Sequence, residues 1–125
     1  MKAIKFLGAN KIGVVDTKTP ETPAGWAKIK VAYAGICGTD LNIYAGTHPR
    51  AKAPLTMGHE FSGVLENDTS TMKKGTRVTV YPLISCGHCT PCRTGNAHVC
   101  NTLGLYGIDK DGGFAEYAFV PEETL

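Results

Sequence analysis

Apolar positions recur in short runs broken by glycine- and proline-bearing turns, the rhythm of strands rather than of long helices. Residues 3–7 and 11–16 flank Gly8-Ala9-Asn10 and predict a first hairpin or sharp return. Thr17 to Gly25, with Pro20 and Pro23, reads as a connecting loop. Across 26–33, Ile29, Val31 and Tyr33 fall on one face and Lys28 and Lys30 on the other, which predicts a half-buried strand with one solvent face. The period changes at residues 34–40, where Thr39 or Asp40 is expected to cap a short helix through Leu41, Ile43 and Tyr44. Residues 45–56, with Gly46, Pro49 and Pro54, read as loop. Residues 57–66 read as a strand entered at a glycine, with Gly63 marking a bulge or a close backbone approach. A polar turn over 67–74 leads to a strand at 77–81, whose valines share a face. A last strand is expected over 114–120, ending at Pro121, with Phe114, Tyr117 and Phe119 in the core. The fold class is therefore mainly β.

Length and charge narrow the picture. A chain of 125 residues fits one domain with a moderate core and lacks room for two full lobes. A net charge of +2 from scattered lysines and arginines argues for neither nucleic acid nor membrane. No apolar run has the length of a signal sequence or a membrane span, so a cytoplasmic location is expected. Five cysteines in metal-like spacing suit that reducing compartment better than a disulfide framework. Residues 122–125 bring no evident finishing element, and the sequence is expected to stop where a larger protein continues.

Four of the cysteines form Cys86-x2-Cys89-x2-Cys92-x7-Cys100, within a segment that has too little apolar periodicity to fold alone. Thiols at this spacing can surround one tetrahedral ion, with Cys100 folding back as the fourth ligand and the metal supplying the core of a lobe over 85–101. Zinc is the first choice. An iron-sulfur centre competes, but a proline after the last cysteine would then be expected, and Asn101 stands there. The fifth thiol, Cys37, lies at the strand-to-helix change, while His59-Glu60 opens a strand. If these turns meet, Cys37, His59 and Glu60 offer S, N and O ligands to a second zinc with an open position. Residue type alone favours Cys37 as a buried small hydrophobe and His59 as a hydrogen-bonded turn residue, with a Cys37–His59 nucleophilic pair as a third, lesser option. His88 and His98 read as polar loop groups, and Asn42 and His48 lie near the Cys37 segment. No glycine-rich loop follows a strand and opens a helix, so no nucleotide-binding fingerprint is present.

Residues 34–41 (Ala-Gly-Ile-Cys-Gly-Thr-Asp-Leu), Gly58-His59-Glu60-x2-Gly63, Gly75-Thr76-Arg77-Val78, the four-cysteine segment with Gly95-Asn96-Ala97-His98-Val99-Cys100, and Gly112-Gly113-Phe114-Ala115-Glu116-Tyr117 come in one order over nearly the whole chain. In these motifs the chain resembles the N-terminal catalytic domain of zinc-containing medium-chain alcohol and polyol dehydrogenases, closest to the threonine, sorbitol and galactitol-phosphate types. The resemblance implies a GroES-like, partly open β-barrel over 1–125 with short helices and a zinc-knuckle lobe, covered in relatives by a Rossmann domain for NAD or NADP that is absent from this sequence. It implies catalytic zinc at Cys37 and His59 with Glu60 nearby, and structural zinc at Cys86, Cys89, Cys92 and Cys100. Thr39 matches the hydroxyl that binds the substrate alcohol and passes on its proton, and Asp40 the carboxylate that orients the zinc-bound histidine.

The sequence also departs from that pattern. Asn42 stands where many relatives carry a histidine, Thr76 replaces the usual aspartate, and Trp26 replaces an acidic stretch. The expectation is an isolated or split catalytic domain of an enzyme oxidising a secondary alcohol, inactive alone, and covered by self-association or by a chain carrying the Rossmann domain. The alternative is a non-enzymatic zinc-stabilised β module acting in assembly.

Overall fold

The computed structural model describes residues 1–125. The expected first hairpin forms from β1 (Lys2–Gly8) and β2 (Lys11–Asp16), paired antiparallel, with Asn10 in the left-handed region at φ 58° to make the turn. Strand β3 (Trp26–Gly35) is central to the larger sheet, pairing with both β5 (Glu60–Leu65) and β9 (Tyr117–Pro121), while β6 (Arg77–Thr79) adds to β5. Ala27 and Ile29 are fully buried on one face of β3. Tyr33 departs from its expected place beside them and is 80 % exposed. The pairing with β5 slips between Val31 and Tyr33, and this irregularity breaks the period of two and turns Tyr33 outward.

Two further expectations are corrected by pairing. Residues 55–56, read as loop, form β4 (Leu55–Thr56) against β1, because Leu55 finds a core to fill. The last strand starts at Tyr117 instead of Phe114. Its register places Val120 opposite Ala27 and Ala118 opposite Ile29, so these small residues enter the core. Tyr117 and Phe119 stay half-buried on the other face, with the Lys28 ammonium 4.4 Å from the Tyr117 ring centroid. Phe114 packs against the second of two cores.

The first core is built from β3, β5 and β9 around Ala27, Ile29, Phe61, Leu65 and Val120, and the partly buried Leu125 packs on it. The chain end is thus tied down: Glu122–Thr124 forms a 3-10 turn and the Tyr81 N–H donates to the Thr124 carbonyl at 2.8 Å. The second core joins Phe6, Ile43, Leu55, Met57 and Ile108. Ile43 comes from α1 (Gly38–Tyr44). A strap over 112–116 connects the sheets, with Ile4 N–H to Phe114 O at 2.7 Å and Glu116 N–H to Lys2 O at 3.0 Å. β2 and β6 remain edge strands, so the sheets curve round the two cores as a GroES-like fold without closing a barrel. The pair β7 (Leu83–Ile84) and β8 (Gly104–Leu105) forms the base of the cysteine lobe, which carries α2 (Thr90–Arg93) and a 3-10 turn at Ala97–Val99.

Candidate metal centres

The end of β3 delivers Cys37 to the N-cap of α1, with φ −92° and ψ 157°. The expected caps, Thr39 and Asp40, lie instead inside the first turn. Asp40 reaches back from the third helical position, its Oδ2 accepting the Cys37 N–H at 2.9 Å, where a carboxylate also suits the positive end of the helix. The Thr39 Oγ1 lies 3.7 Å from the Cys37 Sγ. Asp40 is only 3 % exposed, and its second oxygen has no hydrogen-bond partner. That Oδ1 faces the Nδ1 of His59 at 3.7 Å, and this nitrogen is itself buried and unpartnered. Two buried polar atoms of complementary character are left pointing at each other, which is costly unless they pair.

His59 arrives from the seam between the cores: Met57 belongs to the second core and Phe61 to the first. Gly58 takes φ +94° to turn the chain there, and its carbonyl accepts the Gly113 N–H at 2.8 Å. A Cβ on Gly107 or Gly112 would collide with that same carbonyl, so three glycines press together to set the peptide before His59. This packing was not anticipated from sequence, although the adjacent Gly112-Gly113 pair was its visible signal. Glu60 opens β5 directly opposite Gly35 at the end of β3.

The strands thereby bring Cys37, His59 and Glu60 together, with one ligand atom from each lying within 4.8 Å of the others. The donor set suits a cation. A thiol and two carboxylates concentrate negative charge, and His59 has the Asp40 carboxylate facing one nitrogen, which leaves the other for a ligand role. Cys37 is partly exposed rather than a buried hydrophobe, and His59 Nδ1 makes none of the hydrogen bonds a turn residue would. His48 belongs to a loop, its Nδ1 accepting the N–H groups of Arg50 and Ala51 at 3.2 Å each, and Asn42 is exposed.

In the second cluster, Sγ atoms lie 3.4 Å apart for Cys89 and Cys92, 3.8 Å for Cys89 and Cys100, and 3.9 Å for Cys86 and Cys92. These are far from the roughly 2.05 Å of a disulfide and close to the edge of about 3.8 Å that a tetrahedron of Zn–S bonds requires. Gly87, at φ +80°, lets the chain turn between the first two thiols. Backbone N–H groups point inward: Cys86 donates to Cys100 Sγ and Cys89 to Cys86 Sγ, both at 3.3 Å. Such donors, led by Cys86 and followed by Thr102, bring the Cys100 thiol down to about 6. Burial, by contrast, pushes Cys92 up to about 12. His88 and His98 are exposed and outside the thiol set.

No helix is long and apolar enough to cross a membrane. The alcohol dehydrogenase GroES-like domain family matches residues 23–125. Starvation-sensing protein RspB of Escherichia coli K12 is 45% identical over 99% of this chain and 38% of its own length. A crystal structure of the rspB alcohol dehydrogenase from E. coli CFT073, complexed with cofactor NADH, superposes with TM-score 0.90 at 42% identity, over 99% of this chain and 37% of that one. The L-threonine 3-dehydrogenase of Bacillus subtilis is 40% identical over 100% of this chain and 38% of its own length. A cobalt- and zinc-bound thermostable alcohol dehydrogenase from Pyrobaculum aerophilum gives TM-score 0.86 at 36% identity, over 99% of this chain and 40% of that one. The chain thus spans about 38% of the length of the curated relatives it matches. Matched over residues 23–125 by the family's GroES-like domain and 40% identical, over its own whole length, to one of the members, this chain belongs to the zinc-dependent alcohol and polyol dehydrogenases.

Proposed function

We propose that these 125 residues supply the metal-bearing catalytic part of an NAD- or NADP-dependent dehydrogenase acting on a secondary alcohol or polyol. The observation that carries this reading is the convergence of Cys37, His59 and Glu60 beside the unpaired Asp40–His59 contact. Cys37 and His59 hold catalytic zinc, with Glu60 as a neighbouring carboxylate ligand. Zinc held there would supply Lewis acidity toward the alcohol oxygen, and a bound nicotinamide would supply the hydride acceptor.

The residues around that centre divide the remaining work. Asp40 accepts the Cys37 N–H at Oδ2 and faces His59 Nδ1 from 3.7 Å with Oδ1, the side from which a carboxylate orients a metal-bound imidazole, so one side chain at the start of α1 serves both ligands. Thr39, beside the Cys37 sulfur, receives the alcohol proton at its hydroxyl oxygen. Asn42 is exposed and does not titrate, so the onward transfer runs to water. Cys86, Cys89, Cys92 and Cys100 hold structural zinc, closed to substrate because all four positions are filled.

A cavity of about 490 Å³ lined by Tyr33, His59, Glu60, Ser62 and Thr79 opens beside the centre. Exposed Val14, Ile36 and Leu41 support cover by further protein, either a second copy of the chain or one carrying a cofactor domain.

The test is alcohol-dependent reduction of NAD⁺ or NADP⁺ by the zinc-loaded chain, alone and with a family cofactor domain fused after residue 125. Turnover is expected from the fusion only, and Cys37→Ser should abolish it. A fusion that holds both zinc ions yet turns over no alcohol in a panel of secondary alcohols, polyols and L-threonine would overturn this reading in favour of a zinc-stabilised assembly module.

A further inference from the structure

Glu60 has an unusual setting for a group assigned to a metal centre. No hydrogen bond or ion pair holds its carboxylate, and the residue is exposed. A side chain with several rotatable bonds would ordinarily sweep a wide volume there. What lies against it is Gly35, its direct cross-strand partner at the last residue of β3. A Cβ at residue 35 would lie 2.8 Å from Glu60 Oε2 and 3.6 Å from Glu60 Cβ. The approach to Glu60 Cβ is ordinary van der Waals contact, so the tight contact is with the carboxylate oxygen alone.

The glycine is not needed for the backbone. Gly35 is absent from the residues with positive φ, in contrast with Gly58 or Gly87. Its missing side chain therefore matters for the space it leaves, and Glu60 Oε2 fills that space. Cys37 follows two residues later, so the strand end that delivers the thiol also sets the limit on the carboxylate.

We propose that Gly35 is a positioning residue for the Cys37–His59–Glu60 centre: its bare Cα leaves the room through which the Glu60 carboxylate reaches the metal side of the site. This rests on the metal-centre reading above. A methyl group at 35 displaces only the far end of Glu60, because the side chain can rotate while the β3–β5 pairing stays intact. Gly35→Ala therefore acts through Glu60 and not through the fold.

The experiment titrates cobalt(II) into chains whose cysteine lobe already holds zinc, following binding and the visible ligand-field bands. It compares wild type, Gly35→Ala, Glu60→Ala and the double variant. Gly35→Ala is expected to weaken cobalt binding about tenfold and to alter the band pattern, the scale seen when a metal ligand loses its support. In the Glu60→Ala background the same change should have almost no effect on affinity or spectrum. Equal weakening in both backgrounds, or an unchanged spectrum in Gly35→Ala, would overturn the assignment. Failure of the wild-type chain to take up any cobalt beyond the lobe would instead overturn the metal-centre reading itself, and unchanged thermal melting of the variants excludes loss of fold as the cause.

Discussion

Asp40 touches two ligands with one carboxylate: its Oδ2 accepts the Cys37 N–H at 2.9 Å and its Oδ1 lies 3.7 Å from His59 Nδ1. Asp40→Ala removes both the acceptor for the Cys37 N–H and the partner of His59. It should cost about 1 kcal/mol as a lost helix-cap interaction, read by urea melting, and weaken metal at Cys37–His59 by about 10–100-fold, read by competition with a chelator. An unchanged affinity would show that Asp40 does not orient the ligand. Asp109 offers a second residue-scale case. Its Oδ1 accepts Arg50 Nε at 3.0 Å, and its Oδ2 accepts the Leu105 N–H at 2.8 Å. Burial raises its pKa, but the Arg50 and Leu105 donors outweigh burial, and the carboxyl ends below its ordinary value. A folded-state pKa below the unfolded one gives stability that is present above about pH 4 and is lost as pH falls through the folded value. Asp109→Asn should lower stability at pH 7 and flatten its fall below pH 4 in urea melts. Parallel pH profiles would contradict the role of the Arg50–Asp109 clamp.

The elements show which parts of the architecture were legible in sequence. The alternation of Lys28, Ile29 and Lys30 and the glycine-bearing first turn announced β3 and the β1–β2 hairpin, because local period and turn chemistry determine both. Tyr33 was misplaced since an irregularity in β3–β5 pairing leaves no mark on the pattern of a single strand. Phe114 packs on the second core as expected, but for Tyr117 and Phe119 the cross-strand register against Ala27 and Ile29 selects their neighbours Ala118 and Val120 for the core. Gly63 was readable as a close approach: a Cβ there would run into the Lys30 carbonyl and lie 2.7 Å from Ile29 Cγ2. Gly63→Ala should accordingly destabilise the chain by about 1–3 kcal/mol through overpacking between β3 and β5, and equilibrium unfolding in urea measures it. A neutral outcome would mean that the two strands can separate without loss.

Across the whole molecule, the two cores leave a seam at residues 57–61, and the seam carries His59 and Glu60 to the end of β3 where Cys37 waits. Sequence spacing alone exposed the cysteine lobe, since its four ligands lie close along the chain. The second cluster depends on a contact between distant turns, so the bare residues left it open, and the family motifs pointed to it before the fold brought its members together. The lobe has little apolar core of its own, and structural zinc of this kind contributes apparent energies of roughly 10–16 kcal/mol coupled to folding. The most direct measurement of the two-centre account is a zinc count on purified wild type beside Cys37→Ser and Cys89→Ser. The account predicts two zinc ions per wild-type chain, one in Cys37→Ser with the lobe intact, and in Cys89→Ser loss of the lobe zinc with a lowered melting temperature. A Cys89→Ser chain with undiminished zinc and an unchanged melting curve would contradict the four-thiolate centre, and a wild-type chain holding one zinc that Cys37→Ser leaves in place would contradict the catalytic one.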